Sequence, residues 1–230
     1  MSKSGAASST GHQRGVLIEA DLVVLPGMEI LLESCTARLA KEGIKLKRDM
    51  FLRFLFGKLP ARGMAALLEK SGKAGEASAL AAECTAAYLE ALQAAVSKAR
   101  DGVLTFAQDV ASRGVKVGLI TQLPEEAAKQ VFAGVLGSHV VTITETPHHL
   151  GLHGWEGWRR AARKLQVGER LCLAISSPAS ARGALAAAMR VAVVQDPMQD
   201  HFDCGGVDLL VESFTPAVRT SALGLLKIED

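Results

Sequence analysis

The chain has no C-x-x-C pair, almost no net charge, and no apolar run approaching the ~20 residues that span a bilayer. Each absence excludes a class of function. The four cysteines, Cys35, Cys84, Cys172 and Cys204, lie far apart, which argues against a metal cage or a disulfide framework. Three of them sit in apolar surroundings, where a free thiol packs as a small hydrophobe. A net charge of +2 gives no global attraction to nucleic acid or to a membrane surface. Residues 1–14, rich in Ser, Gly and Ala, lack the apolar core of a signal peptide and read as a disordered tail. The expected address is the cytoplasm.

At 230 residues, 49% apolar and 22% charged, the chain is long enough to bury a full core, as one domain or as one domain with a smaller insert. Its charge is unevenly spread. Between Lys41 and Lys73, bases such as Lys45, Lys47, Arg48, Arg53, Lys58, Arg62 and Lys70 outnumber Glu42, Asp49 and Glu69. A solvated helical surface accounts for this stretch at least as well as an anion-binding patch does.

The most informative segment is Val16-Leu17-Ile18-Glu19-Ala20-Asp21-Leu22-Val23-Val24, an apolar strand carrying two carboxylates one residue apart. Alternate side chains share a face of a strand, so Glu19 and Asp21 are expected to point the same way at its C-terminal end. Open α/β sheets bind ligands there. No glycine follows the pair, although a turn at that point would favour one. After Pro26-Gly27, the spacing predicts helices over Met28–Ala40, closed by Gly43, then over Asp49–Phe56, Pro60–Lys70 and Glu76–Ala99. In the last of these, Leu80, Cys84, Tyr88 and Leu92 recur every fourth residue and mark a packed face.

From Gly102 onward, helices and strands alternate. Helix Leu104–Ser112 leads to strand Val115–Ile120, then to a helix opened by Pro124, strand Val140–Ile143 and helix Glu156–Leu165. Strand Leu171–Ile175, helix Pro178–Ala188 capped by Ser177, strand Val191–Val194 and a last strand Asp208–Val211 complete the pattern. Such alternation predicts an α/β fold built on a Rossmann-like parallel sheet. Residues 28–100 interrupt it directly after the first strand as an inserted α-helical cap, leaving residues 15–27 and 101–230 as the core domain.

This order of elements resembles the haloacid dehalogenase-like superfamily, and the cap position is similar to that of its phosphoglycolate phosphatase and β-phosphoglucomutase branch. Four stretches carry the resemblance beyond topology. Arg100-Asp101-Gly102-Val103-Leu104 sits where the family re-enters its core, and Val117-Gly118-Leu119-Ile120-Thr121-Gln122 resembles the second motif. Cys172-Leu173-Ala174-Ile175-Ser176-Ser177-Pro178-Ala179 resembles the fourth, and the segment from His201 to Val211 resembles the one that closes the core.

The resemblance implies a role for each position. Glu19 falls on the aspartate nucleophile and Asp21 on the general acid and base, while Thr121 and Gln122 match the groups that hold the phosphoryl oxygens. Glutamate displaces the carboxylate by roughly an ångström, which near-attack geometry tolerates poorly. The motif lysine is missing from Thr146–Trp155, with Leu152 at its place; His149 or His153 would supply charge there only when protonated. Ile175 and Ser176 replace the metal-binding acids, so no cofactor is assigned and any magnesium is expected to be held weakly. Asp196 and Asp200 read as plain loop residues. The cluster His148, His149 and His153 fits no common zinc spacing and reads as solvated or capping histidines. Dehalogenases of the superfamily keep the aspartate and replace the second acid, the reverse of this chain, and a mutase would need the same nucleophile and metal.

The pattern implies a phosphatase-fold protein with a dismantled site, which has lost efficient phosphohydrolase activity and acts by binding or interaction. The alternative is a slow or narrow-specificity phosphatase. A small phosphorylated metabolite or a protein is the expected partner, with no membrane and no nucleic acid.

Overall fold

The computed structural model describes residues 13–95, 99–133, 140–145 and 153–227. Strand β1 (Gly15–Glu19) is buried along its whole length. Its apolar positions reflect a central parallel strand covered on both faces. Val16 and Ile18 join one apolar cluster with Leu31, Leu39 and Tyr88, whereas Leu17 joins a second with Trp158 and Ala161.

The strand stops at Glu19 and does not continue to Val24. Ala20–Val24 form a buried π-helical turn in which the Leu25 N–H donates to Ala20 O at 2.9 Å. The unbroken apolar run that imitates a strand instead lines a turn enclosed on all sides. The chain then passes so close over this turn that a Cβ on Gly27 would lie 2.1 Å from Asp21 O. That close approach requires glycine.

A block of helices follows: α1 (Gly27–Ala40), the short α2 (Arg48–Met50) running into a π-helical turn over Phe51–Leu55, α3 (Pro60–Lys70) and α4 (Ala77–Ala94). Gly43 sits just past α1 at φ +69°, the left-handed position expected of it. Along α4, Leu80, Cys84, Tyr88 and Leu92 are all buried against the rest of the block. Cys35 and Cys84 meet across α1 and α4 as free thiols. This block is the helical cap. The chain returns from it through Arg100, whose N–H donates to Val24 O at 2.8 Å.

The remainder alternates as α5 (Asp101–Ser112), β2 (Lys116–Thr121), α6 (Glu125–Ala133), β3 (Val140–Thr144), α7 (Trp155–Leu165), β4 (Cys172–Ser176), α8 (Pro178–Ala186), β5 (Arg190–Val194) and β6 (Leu209–Val211). All strand pairs are parallel, in the order β3-β2-β1-β4-β5-β6. Regular structure does not end at Val211: α9 (Pro216–Leu225) follows, with the Thr215 hydroxyl accepting from Val218 N–H at 3.4 Å and Pro216 opening the first turn. Because β2 and β4 lie on opposite sides of β1, their C-terminal ends frame the crevice where an open α/β sheet places a site. Among the described residues, no helix is long and apolar enough to cross a membrane.

Candidate functional site

Glu19 and Asp21 stand at the end of β1 with no solvent exposure, yet they turn to different neighbours. Glu19 meets the start of α8: Oε2 accepts from Ser177 N–H at 2.7 Å and Oε1 from Ser180 Oγ–H at 2.5 Å. Asp21, placed by the π-helical turn, meets the end of β2: Oδ1 accepts from Thr121 Oγ1–H at 2.5 Å and Oδ2 from Gln122 N–H at 2.7 Å. The shared direction expected of the pair is lost because Asp21 does not belong to the strand.

Burial shifts both acids. Desolvation carries Glu19 from 4.5 to about 7 against the hydrogen bonds of Ser180 and Ser177, and the charge of Asp21 adds to the rise. The same cause carries Asp21 from 3.8 to about 6, opposed by Thr121 and Gln122. Above them, α4 brings in Tyr88, fully buried, whose hydroxyl is pushed well above its ordinary range by burial and by the two acids. Tyr88 OH, Gln122 Nε2 and Ser176 Oγ have no hydrogen-bond partner among the described residues.

Thr121 and Gln122 are therefore brought to the acid pair, but their donors point at Asp21. Ile175 is buried beside β1, paired with Ile18, and Ser176 is buried at the end of β4. Leu152, His148 and His149 lie outside the described residues. His153 is described and is not solvated: it is 2% exposed, and burial lowers its pKa to about 4. It stays neutral near pH 7 and cannot supply the positive charge that the resemblance calls for there. Asp196 is nearly buried, accepting from Met198 N–H at 2.8 Å and lying 3.7 Å from Arg100. It closes a local turn.

The donor set does not fit magnesium. All four carboxylate oxygens of Glu19 and Asp21 already accept hydrogen bonds from the protein. At the positions where the resemblance expects metal-binding acids, Ile175 and Ser176 offer a hydrocarbon and a hydroxyl rather than carboxylate oxygen. Among the described residues, no three His, Cys, Asp or Glu converge on one point.

Sequence reasoning missed Ser180, whose hydroxyl holds Glu19 and accepts from His153 N–H at 3.4 Å. Its signal is a second serine three positions after Ser177, at the start of a helix. Ser177 itself does not cap α8 with its side chain, and the helix ends at Ala186. The first N–H groups go instead to Glu19 and to Gln199, whose Oε1 accepts from Ala179 N–H at 3.1 Å.

No family model and no curated protein matches the chain. Solved structures do. A phosphonoacetaldehyde hydrolase-like protein from Oleispira antarctica superposes with a TM-score of 0.68 at 13% identity, over 96% of this chain and 96% of that one. β-Phosphoglucomutase from Clostridium difficile gives 0.66 at 15%, over 94% and 99%. A variant of CbbY from Rhodobacter sphaeroides, in complex with xylulose bisphosphate, gives 0.66 at 17%, over 88% and 95%. The chain has the capped haloacid dehalogenase-like fold. The similarity extends over the cap as well as the sheet, in agreement with the place of the helical block after β1.

Proposed function

We propose that this haloacid dehalogenase-like phosphatase-fold protein has lost efficient phosphohydrolase activity and acts by binding, with residues 28–100 as its cap domain and residues 15–27 and 101–230 as its core. One observation carries the reading: the carboxylate of Asp21 takes the hydroxyl of Thr121 and the N–H of Gln122, the two donors that the family resemblance assigns to a phosphoryl group. Glu19 is likewise committed to α8. Phosphoryl transfer depends on charge neutralisation around the transferred group, and the positions for it carry Ile175 and Ser176. A phosphate ester entering here would displace Asp21 and meet two buried acids.

The test is turnover of a panel of phosphate monoesters and sugar bisphosphates by the purified protein with magnesium. The expected result is release of phosphate indistinguishable from the uncatalysed background. Turnover like that of working phosphatases, abolished by Asp21→Asn, overturns the proposal.

A second reading, a slow phosphatase with Glu19 as nucleophile and Asp21 as general acid and base, draws on the raised pKa values. An acid brought by burial to about 6 is matched to proton transfer near neutral pH. Fluorometallate trapped against Glu19 in the presence of magnesium would support this second reading.

A further inference from the structure

Inside the helical cap, Cys35 on α1 meets Cys84 on α4. Both thiols are free and buried, and the Cys35 S–H donates to the Cys84 sulfur. Further contacts place the pair on one helix seam. Tyr88 OH lies 3.2 Å from where a Cβ on Gly27 would stand, and Arg38 binds Glu83, so Gly27, Cys35 and Arg38 of α1 meet Tyr88, Cys84 and Glu83 of α4 in turn. The helices run antiparallel, and the thiols face each other between the acid-pair end of the seam and its solvent end. The remaining cysteines bond to the backbone instead: Cys172 Sγ–H donates to Gly168 O at 3.5 Å and Cys204 Sγ–H to Phe202 O at 3.7 Å.

The two thiols of the pair are not equivalent. The bond from Cys35, and after it the charge of Arg38, hold Cys84 below the ordinary thiol range against burial and the charge of Glu83. Cys35 is pushed up by donating that bond and by burial. Cys84 is therefore the member that forms a thiolate, the state in which sulfur attacks an oxidant. It is also the one beside solvent-facing Glu83, whose side chain is 52% exposed.

We propose that Cys35 and Cys84 form a reversible disulfide that fastens α1 to α4 and locks the cap, with a peroxide as the oxidant. Hydrogen peroxide, little larger than water, enters as the Arg38–Glu83 pair opens. The Cys84 thiolate attacks one peroxide oxygen; the S–O bond forms, the O–O bond breaks, and the departing hydroxide takes a proton to become water. Cys35 then attacks the sulfur of the Cys84 sulfenic acid. The S–S bond forms, the S–O bond breaks, and the Cys35 proton leaves with the hydroxide as a second water. Sulfur is oxidised and peroxide reduced, and a dithiol reverses the bond by two exchanges in which it becomes a disulfide itself. The lock holds together the two helices that bring Gly27 and Tyr88 over the turn of Asp21. It depends on neither the loss nor the survival of phosphohydrolase activity.

The test treats the reduced full chain with hydrogen peroxide under native conditions, blocks the remaining thiols and maps the peptides by mass spectrometry without reductant. The expected product is a peptide linked through Cys35 and Cys84, while Cys172, equally buried but bonded to a carbonyl, stays a thiol. Because the bond closes a loop of about 50 residues, it is expected to raise Tm by roughly 5–15 °C, and dithiothreitol to restore the original value. Cys35→Ala is expected to abolish the rise and to leave Cys84 as a sulfenic acid that dimedone labels. Cys84→Ala is expected to abolish the rise and to leave Cys35 unlabelled. No linked peptide, a link that forms only after denaturation, a disulfide that fails to raise Tm, or a dimedone label absent from Cys84 or found on Cys35 each overturns the proposal.

Discussion

The Ser180 hydroxyl donates to Glu19 Oε1 at 2.5 Å, while Oε2 of the same carboxylate accepts from the Ser177 backbone N–H at 2.7 Å. Asp21 repeats the arrangement, with one hydroxyl from Thr121 and one backbone N–H from Gln122. A backbone N–H only donates, but a hydroxyl also accepts. Each acid can therefore take up a proton on the oxygen facing the hydroxyl and reverse that bond without losing either contact. The acid pair is built to be comfortable when neutral.

Stability is accordingly expected to fall as pH rises. Glu19 goes from 4.5 to about 7 and Asp21 from 3.8 to about 6 on folding, so the native state binds these protons more tightly than the unfolded chain. Their contribution is fully present below about pH 4 and is lost as pH rises through 6 to 7, at roughly 3 kcal/mol for each group. Denaturant unfolding between pH 4 and 8 measures the slope. Glu19→Gln and Asp21→Asn reproduce the protonated geometry, with the amide NH₂ facing the hydroxyl, and are expected to flatten it and to stabilise the protein at pH 8. A wild-type stability that increases over this range contradicts the assignment.

Gly27→Ala is expected to cost about 3 kcal/mol, or to prevent folding, because the new methyl group meets Asp21 O at 2.1 Å, well inside contact distance. The obstacle is backbone, which has no rotamer to yield. Gly43→Ala, at φ +69° with only Lys73 Nζ near it, is the control for a purely conformational penalty of about 1 kcal/mol. Thermal unfolding ranks the two, and equal losses would show that the passage over the π-helical turn is not tight.

The alternation of strands and helices after Gly102 was legible in the sequence because each element carries its own period and its own stop signal. Pro60 opened α3 and Gly43 closed α1 where such residues should. The turn over Ala20–Val24 was not legible. Leu22, Val23 and Val24 are apolar because every side of the turn is enclosed, and a fully buried turn has no polar face to set a period. The same difficulty hid the fate of the acids. Their positions could be read from spacing, but that Asp21 fills the donors of Thr121 and Gln122 depends on residues 100 and 101 positions away. His153 reads as a loop histidine beside Gly154, and its burial is set by Trp158, whose ring centroid lies 6.5 Å away, and by packing against α8. Helix α9 stands outside the predicted pattern although Thr215-Pro216 is an ordinary helix start, because the alternation of strands and helices is complete at β6.

Tyr88 offers a test of whether the space over the acid pair is structural. Its ring is fully buried in the apolar cluster, and that packing explains its place in the four-residue period of α4. Its hydroxyl is a different matter, buried without a partner among the described residues and near two acids that raise its pKa further. Deleting an unsatisfied buried hydroxyl removes a desolvation penalty of about 1–3 kcal/mol and leaves a gap of one oxygen atom. Tyr88→Phe is therefore expected to stabilise the protein by about 1 kcal/mol, a rise of roughly 2–4 °C in Tm for a chain of this size. Tyr88→Ala removes the ring and is expected to cost about 3–5 kcal/mol, so the pair separates packing from polarity. A Tyr88→Phe variant less stable than the wild type by more than about 1 kcal/mol would mean that the hydroxyl makes a bond in solution, and the acid pair would then have a third donor from the cap.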